Sequence, residues 1–145
     1  MSTEIKLEKA TIDTIPLLYS LNKEMAEREG QSTLFTAKIE DYKKIILVDF
    51  VDAFFILLKD EIVGFIITQK KVATYLGNFT LYVEDIYLKN NFQYLFSEII
   101  QLIQNEIAEK NIRIEIRLLT TEGYKIQEIN KIGFEKITKW NIFRS

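Results

Sequence analysis

The fold is decided by "YVEDIYLKNNFQYLFSEIIQLIQ", residues 82–104. This stretch begins as an apolar strand and continues as a helix, because its later apolar residues recur three and four positions apart. A strand that turns directly into a helix is a place where many folds bind a phosphate, usually with glycines in the turn. The chain contains no glycine between Gly77 and Gly123. The stretch therefore predicts the topology of a phosphate-binding turn without its usual residue.

The sequence on either side completes a pattern of strands and helices. Strand patterns occur in "EIKLEKAT", "DAFFILLK", "IVGFIITQ", "IRIEIRLL" and the closing "FEKITKWNIFRS", and a tight turn around residues 59–61 joins the second pattern to the third. Helical spacing follows Pro16 and ends at Gly30, resumes from Thr36, runs from Leu95 to about Lys110, and covers Ile126 and Ile129 before Gly133. The predicted order is β α α β β β α β α β. We therefore expect one α+β domain over residues 1–145.

The composition excludes several kinds of chemistry. The chain has 145 residues and a net charge of −2, so it lacks the basic balance of a nucleic-acid-binding protein. It contains no cysteine and no histidine, which excludes thiolate nucleophiles and removes the commonest general base and metal ligand. Acid–base chemistry must then come from other side chains or from water. No apolar run approaches the length of a membrane span and the N-terminus has no apolar signal core, so we expect a cytoplasmic protein without a metal site.

Three stretches resemble one enzyme family in order along the chain. "SLNKEMAEREG" resembles helix 1 of the diamine (spermidine/spermine-type) acetyltransferases, a branch of the GNAT superfamily of N-acetyltransferases. "TYLGNFTLYVEDIYL" resembles that branch's Trp-Leu-Gly…Leu-Tyr-Leu-Glu-Asp-Leu-Tyr-Val segment, and "NKIGFEKITKWNIFRS" resembles its Glu-Lys-Leu-Gly-Phe…Trp…Tyr-Arg ending. The resemblance implies a GNAT fold, with a mixed central sheet of about six to seven strands flanked by about four helices.

This resemblance implies acetyl transfer from acetyl-CoA to a small amine or diamine, without a covalent enzyme intermediate. It implies that the pantetheine arm pairs with the strand around Ile86, Tyr87 and Leu88. It places the pyrophosphate at the start of the following helix. The cofactor-binding residues there would be Gln93, Tyr94, Leu95, Phe96, Ser97 and Glu98.

On the acceptor side, the resemblance assigns Glu84 the handling of the amine, either by binding the cation or by passing its proton to water. Glu24 and Tyr75 match further acceptor-side positions, and Asp85 follows Glu84 directly. Successive strand residues face opposite ways, so Glu84 and Asp85 cannot share a pocket unless a bulge intervenes. Each residue also has a structural alternative. Glu84 would be an exposed strand residue paired with a lysine, Glu24 a solvated helix residue, and Tyr75 loop packing.

The donor turn departs from the family's Arg/Gln-x-x-Gly-x-Gly/Ala pattern. Gln93 keeps the first position, and Tyr94 falls on a position that is commonly glycine. Phe96 replaces the first required glycine, and Glu98 replaces the Gly/Ala. We expect the two aromatic rings to put bulk where the pyrophosphate would rest. One like-charge pair at about 4 Å costs on the order of 4 kcal/mol at an effective dielectric near 20, so Glu98 would oppose a polyanion.

The same residues have a second interpretation. Ser97 and Glu98 stand where a helix N-terminus favours an acceptor and an anion, so the helix would carry its own negative charge. Leu95 and Phe96 would then fill the groove as core. The position of the general acid also differs from the family pattern. The family's tyrosine falls on Ile129 here, and Tyr124 is the nearest residue that would replace it as the acid. An asparagine found after the fifth strand becomes Glu122.

Two main functions stay open from the sequence, and the changed loop also leaves open transfer from a different donor that lacks the pyrophosphate. The first is a small-amine or polyamine N-acetyltransferase that binds acetyl-CoA through unusual contacts. The second is a catalytically inactive pseudoenzyme that keeps the GNAT fold as a binding or regulatory module. By resemblance we also expect a homodimer, with contacts from an exposed strand or from "WNIF", residues 140–143.

Overall fold

The computed structural model describes residues 4–145. Its centre is one mixed sheet of five strands in the order β1-β2-β3-β4-β5, with antiparallel neighbours except for the parallel pair β4 and β5. The strands are β1 (Ile5–Lys9), β2 (Val51–Leu58), β3 (Glu61–Ala73), β4 (Asn78–Leu88) and β5 (Arg113–Ile116). A parallel pair needs a crossover connection, and here the third helix supplies it.

Four α-helices flank the sheet, as the sequence predicts. They are α1 (Ile15–Arg28), α2 (Ile39–Ile46), α3 (Phe96–Leu102) and α4 (Gly123–Ile132), and a single π-helical turn (Ile103–Ile107) continues α3. The chain leaves α1 and α4 through two glycines, Gly30 at φ 69° and Gly133 at φ 108°. Glycine adopts such left-handed angles without steric cost, which confirms both predicted helix ends.

The helices cover both faces of the sheet, so two apolar cores form. The core on one face joins β2, β3 and β4 to α1 and α2 through residues such as Phe55, Phe65, Tyr87, Leu18 and Tyr42. The opposite core joins the sheet to α3 and α4 through residues such as Ile66, Val83, Phe96, Ile100 and Ile129. We call these the α1 face and the α3 face. This architecture confirms the predicted α+β fold.

Two local features of β3 fix its position beside β2 and β4. The β2–β3 turn uses Lys59 at φ 49° and Asp60 at φ 68°, which gives the tight turn that the sequence predicts. Further along, a Cβ atom on Gly64 would lie 1.9 Å from the carbonyl oxygen of Tyr87. The close approach of β3 to β4 therefore requires glycine at this position.

A bulge and a gap distinguish the C-terminal half of β4. Ile67 of β3 pairs with Asp85 and Thr68 pairs with Val83, so Glu84 is an extra residue in β4. The pairing of β4 with β5 ends at Val83 and Ile116. Beyond this rung the rest of β4 has no strand partner on the β5 side. We call this opening the β4–β5 gap.

The prediction of a closing strand is wrong. Residues 134–145 contain no strand, and the sheet has five strands rather than six to seven. A strand forms only by pairing, and β5 is a short edge of four residues with which this segment makes no ladder. Several of its apolar side chains lie at the surface: Ile137, Trp140, Ile142 and Phe143.

Two predicted helix boundaries also shift. The second helix begins at Ile39 instead of Thr36, and the third ends its α-helical part at Leu102 before the π turn. Within residues 4–145, no helix has the length and apolar content to cross a membrane.

Candidate functional site

The bulge in β4 brings two carboxylates to the α1 face. Val83 and Ile86 both contribute to the core on the α3 face, although two residues separate them. The alternation of the strand therefore slips by one position, and Glu84 and Asp85 both turn toward the α1 face. A shared contact confirms their proximity, because Nη2 of Arg117 lies 3.1 Å from Oδ1 of Asp85 and 3.9 Å from Oε1 of Glu84.

Arg117 crosses the β4–β5 gap. It is the first residue after β5, and its backbone N–H donates to the carbonyl of Val83 at 3.1 Å. Its side chain continues along β4, where Nε donates to the carbonyl of Glu84 at 3.2 Å. Arg117 therefore contacts the backbone of β4 at the bulge as well as both carboxylates.

Asp85 has the properties of a proton acceptor. Burial raises the pKa of Asp85 to about 6, against the opposing effect of Arg117, and the charge of Glu84 adds to the rise. Burial also works to lower the pKa of Arg117, but the charge and hydrogen bond of Asp85 outweigh it and the net pKa is raised. The Asp85 side chain is only 14% exposed, so desolvation exceeds the attraction of one half-exposed guanidinium. A carboxylate with a pKa near 6 suits general base catalysis near neutral pH.

Helix α1 supplies the opposite wall of the site. The hydroxyl of Tyr87 donates to the carboxylate of Glu24 at 2.7 Å, and the guanidinium of Arg28 lies 4.3 Å from the centre of the Tyr87 ring. Burial and then this hydrogen bond raise the pKa of Tyr87 to about 12. The structure therefore joins Glu24 to β4 by a hydrogen bond, while Glu24 itself is exposed on α1, as its structural alternative expects.

A buried tyrosine that sequence reasoning missed completes this side. Burial raises the pKa of Tyr42 to about 12, the hydrogen bond from Asn22 opposes the rise, and the charge of Asp85 adds to it. The Nδ2 atom of Asn22 donates to the Tyr42 hydroxyl at 2.5 Å. Tyr42 therefore keeps its proton near the carboxylate pair, and Ile129 of α4, buried in the other core, does not take part.

On the donor side, alternate residues of β4 present their backbone to the gap. The N–H of Lys89 donates to the carbonyl of Val63 at 2.9 Å. Since antiparallel pairs alternate between bonded and non-bonded positions, the backbone groups of Leu88 and Ile86 point away from β3. The Leu88 carbonyl already accepts hydrogen bonds from Nε2 of Gln93 at 2.6 Å and from Nη1 of Arg28 at 2.8 Å. Protein side chains thus occupy one of the strand groups expected to pair with a pantetheine arm.

The turn from β4 to α3 does not need glycine for its conformation. A 3-10 helix (Asn90–Leu95) leads into α3, and positive φ angles outside glycine occur only at Lys59, Asp60 and Asn111 among residues 4–145. The loss of the family's glycines therefore creates no backbone strain in this turn.

The two aromatic residues of the turn lie in different environments. Phe96 is fully buried and belongs to the α3-face core, as does Leu95, which matches the second interpretation. Tyr94 is 61% exposed at the surface. Glu98 lies in the first turn of α3, as predicted, but Ser97 does not cap the helix, because its hydroxyl donates to Glu128 of α4 at 2.7 Å.

A buried lysine lies beside this turn. The Lys125 side chain is 8% exposed, with Nζ 3.0 Å from Oε1 of Glu122 and 5.6 Å from the centre of the Phe96 ring. Burial raises the pKa of Glu29, at the end of α1, and the charge of Glu122 adds to the rise, while Lys125 and Arg117 oppose it. Glu122, which stands where the family has asparagine, therefore belongs to a group of charges between α1 and α4.

Two other residues from the sequence lie apart from this site. Tyr75 is 98% exposed at the tip of the β3–β4 hairpin. Six strand residues separate that end of β4 from Glu84, a distance of roughly 20 Å at the rise of a strand. Tyr124 is 53% exposed at the surface of α4. In the part of the chain from residue 4 onward, no group of three or more acidic side chains is arranged to hold a metal ion.

Arg117 was the main residue that sequence reasoning missed. In the sequence it is one of the charged residues that alternate with apolar residues in "IRIEIRLL". Nothing in the sequence gives its distance to Glu84 and Asp85, which depends on where β5 ends and on the bulge in β4.

Comparison with known proteins gives structural similarity without sequence similarity. No protein-family model matches the sequence, and no curated protein matches it. A possible acetyltransferase from Clostridium difficile 630 has a TM-score of 0.77 at 14% identity, over 97% of this chain and 96% of that one. The aminoglycoside acetyltransferase meta-AAC0020 from an uncultured soil metagenomic sample, in complex with sisomicin, has a TM-score of 0.76 at 15% identity, over 97% of both chains.

A third structure was solved with CoA. This is the aminoglycoside N-acetyltransferase AAC(6')-Iy in complex with CoA, with a TM-score of 0.71 at 11% identity over 100% of this chain and 97% of that one. In all three comparisons the structural similarity extends over nearly the whole of each chain. This chain therefore has the GNAT acetyltransferase fold.

Proposed function

We propose that this protein transfers an acetyl group from acetyl-CoA to the amine of a small cationic acceptor, with a diamine or polyamine as the expected class. The observation that carries the proposal is the pair of carboxylates, Glu84 and Asp85, at a bulge beside the β4–β5 gap. An ammonium group is attracted to such a pair, and the gap next to it gives an extended donor a way in. The resemblance of the β4 segment to the diamine branch supports the same acceptor class.

The carboxylates have separate roles in this proposal. Glu84, whose side chain is 38% exposed, meets the acceptor at the surface and binds its positive charge. Asp85, with its pKa raised to about 6 by burial, accepts the proton of the bound ammonium and leaves the nitrogen free to act as a nucleophile. Tyr42 is protonated at neutral pH and is the candidate for returning a proton.

The residues of the gap fit an acetyl-CoA donor. The backbone groups of Ile86 point toward the gap, and the turn before α3 adopts negative φ angles throughout. Arg28, which donates to Asn90 in this turn, and Lys125, which is paired with Glu122, lie next to the turn. Acetyl-CoA supplies the acyl group as a thioester, so that a C–N bond to the acceptor replaces the C–S bond and the thiol of CoA leaves.

The alternative is a pseudoenzyme that keeps the fold as a binding module. Two observations favour it: Gln93 and Arg28 already bind the Leu88 carbonyl, and Ile129 replaces the tyrosine that the family uses as the acid. In this alternative the carboxylate pair still binds a cation, but no donor enters the gap. The two functions therefore differ in acetyl-CoA binding.

Calorimetric titration with acetyl-CoA distinguishes the acetyltransferase from the pseudoenzyme. An acetylation assay follows, with spermidine and, as a second cationic acceptor, sisomicin. We expect a dissociation constant in the micromolar range, and turnover that falls at least about a hundredfold in Asp85→Asn, since general base catalysis contributes roughly 100-fold or more. Glu40→Gln, an exposed acid on α2, serves as the matched control and should leave turnover unchanged. No binding at millimolar acetyl-CoA would contradict the proposed activity.

A further inference from the structure

We propose that Arg117 determines acceptor affinity by competition: its guanidinium occupies the cation subsite between Glu84 and Asp85, and an acceptor ammonium binds by displacing it. This inference deepens the proposed function and rests on its acceptor subsite. The position of the guanidinium carries it, with Nη2 at 3.1 Å from one carboxylate and 3.9 Å from the other.

An acceptor ammonium and the guanidinium cannot share this position. Both groups carry a positive charge, and both need the carboxylate oxygens that face the gap. A second cation placed there would meet repulsion at contact distance, in a region of partial burial where screening by water is weak. Either Arg117 leaves when the acceptor binds, or the acceptor uses other groups.

The side chain of Arg117 is able to leave. It is 52% exposed, so about half of the side chain already faces solvent into which it is able to move. Its backbone stays in place because its N–H remains bound to the carbonyl of Val83. Besides the contact of Nη2 with Asp85, the side chain must release the Glu84 carbonyl, to which Nε donates, and this second release also opens the bulge toward the gap.

We expect the displaced guanidinium to move toward a third carboxylate, Glu29. Glu29 lies at the end of α1, within range of the charge of Arg117. It is half-buried among acidic and basic groups, and Glu122 opposes its ionisation. A move of Arg117 toward Glu29 would therefore relieve two unfavourable charges at once, the extra cation at the subsite and the carboxylate repulsion near α4.

Titration of Arg117→Gln with spermidine tests this competition. The variant keeps a polar side chain but removes the competing charge, so we expect spermidine to bind about tenfold more tightly than to the unmodified protein. A site that is free one-tenth of the time shows an apparent affinity reduced by that fraction. Arg117→Lys keeps the charge and should bind closer to the unmodified protein. Arg113→Gln, which removes a charge elsewhere on β5, is the matched control and should leave the affinity unchanged.

The outcomes separate this inference from the proposed activity. Equal or weaker spermidine binding by Arg117→Gln, with thermal unfolding unchanged, overturns the inference even if the protein acetylates amines. Tighter binding by the variant supports it, even if acetyl-CoA does not bind and the proposed activity fails. If neither protein binds spermidine, the carboxylate pair is not a cation subsite and the inference is wrong. In an active enzyme, Arg117→Gln should lower the KM for the acceptor, whereas a purely structural role would reduce kcat and stability together.

Discussion

The substitution Asp85→Asn should make the protein more stable at pH 7 and have little effect at pH 4. In the folded state burial raises the pKa of Asp85 from 3.8 to about 6. A carboxyl with a raised pKa favours folding when it is protonated. Its stabilising contribution is complete below pH 3.8 and is lost as the pH rises through about 6. Two pKa units correspond to about 3 kcal/mol in the free energy of unfolding.

The measurement is urea denaturation of both proteins at pH 4, 5, 6 and 7. At pH 4 the protonated aspartic acid resembles asparagine, so the two free energies of unfolding should agree. By pH 7 the variant should be more stable by up to about 3 kcal/mol. All other ionisable groups are common to both proteins, so their contributions largely cancel in the difference. Asp52→Asn, which breaks a more exposed ion pair with Lys9, is the control and should change stability by about 1 kcal/mol or less.

Two opposing effects meet in this experiment. Burial of Asp85 destabilises its charged form, whereas Arg117 at 3.1 Å stabilises it. A variant that is less stable than the unmodified protein at pH 7 would mean that the ion pair outweighs the burial. A difference that does not vary with pH would refute the raised pKa and remove the argument for Asp85 as the base.

Further predictions concern the strand packing, the donor turn, the pH profile and the assembly. Gly64→Ala should destabilise the fold by about 3 kcal/mol or more in urea denaturation, because its Cβ would lie 1.9 Å from the Tyr87 carbonyl oxygen. Phe96→Ala should cost about 3–5 kcal/mol by the same assay, since Phe96 is fully buried; a negligible loss would contradict its role in the core. Acetylation should rise with pH through about 6 as Asp85 loses its proton, and a flat profile would exclude it as the base. The expected homodimer should dissociate in Trp140→Ser, as measured by sedimentation, because Trp140 is 72% exposed.

The sequence predicts the elements with clear periodicity well. The apolar spacing of α1 and α4 is regular, and glycine ends both helices at left-handed angles that other residues avoid. The prediction of a closing strand failed because sequence alternation alone does not ensure pairing. Alternation in "FEKITKWNIFRS" describes residues that are able to pair, but a strand also needs an accessible edge in the right register. β5, with four residues, forms no ladder with this segment.

The site could be predicted only in part. Glu84 and Asp85 are adjacent in the sequence, and the condition for their joint use, a bulge, follows from the alternation of strands. Whether the bulge exists depends on the register of β3 against β4, which is a property of the whole sheet. Arg117 depends on the same register and on the point where β5 ends. The role of Phe96 was ambiguous for another reason. An aromatic residue at a position where the family has glycine is compatible both with a blocked groove and with a filled core.

In the proposed function, access of acetyl-CoA to β4 depends on two movable side chains rather than on the glycines that the turn lacks. Glycine is needed in a phosphate-binding turn when the backbone adopts a left-handed angle or when a Cβ would collide with the phosphate. The first reason does not apply, because no residue of this turn has a positive φ. The second is weakened, because Phe96 points into the core. On β4, the side chains of Gln93 and Arg28 donate hydrogen bonds to the Leu88 carbonyl, which is one of the groups expected to pair with the pantetheine arm. Both are flexible side chains, and a pantetheine amide could replace either bond at little net cost, since one hydrogen bond is exchanged for another. Under the proposed function we therefore expect acetyl-CoA to bind with rotation of these two side chains and without a change in the backbone of the turn.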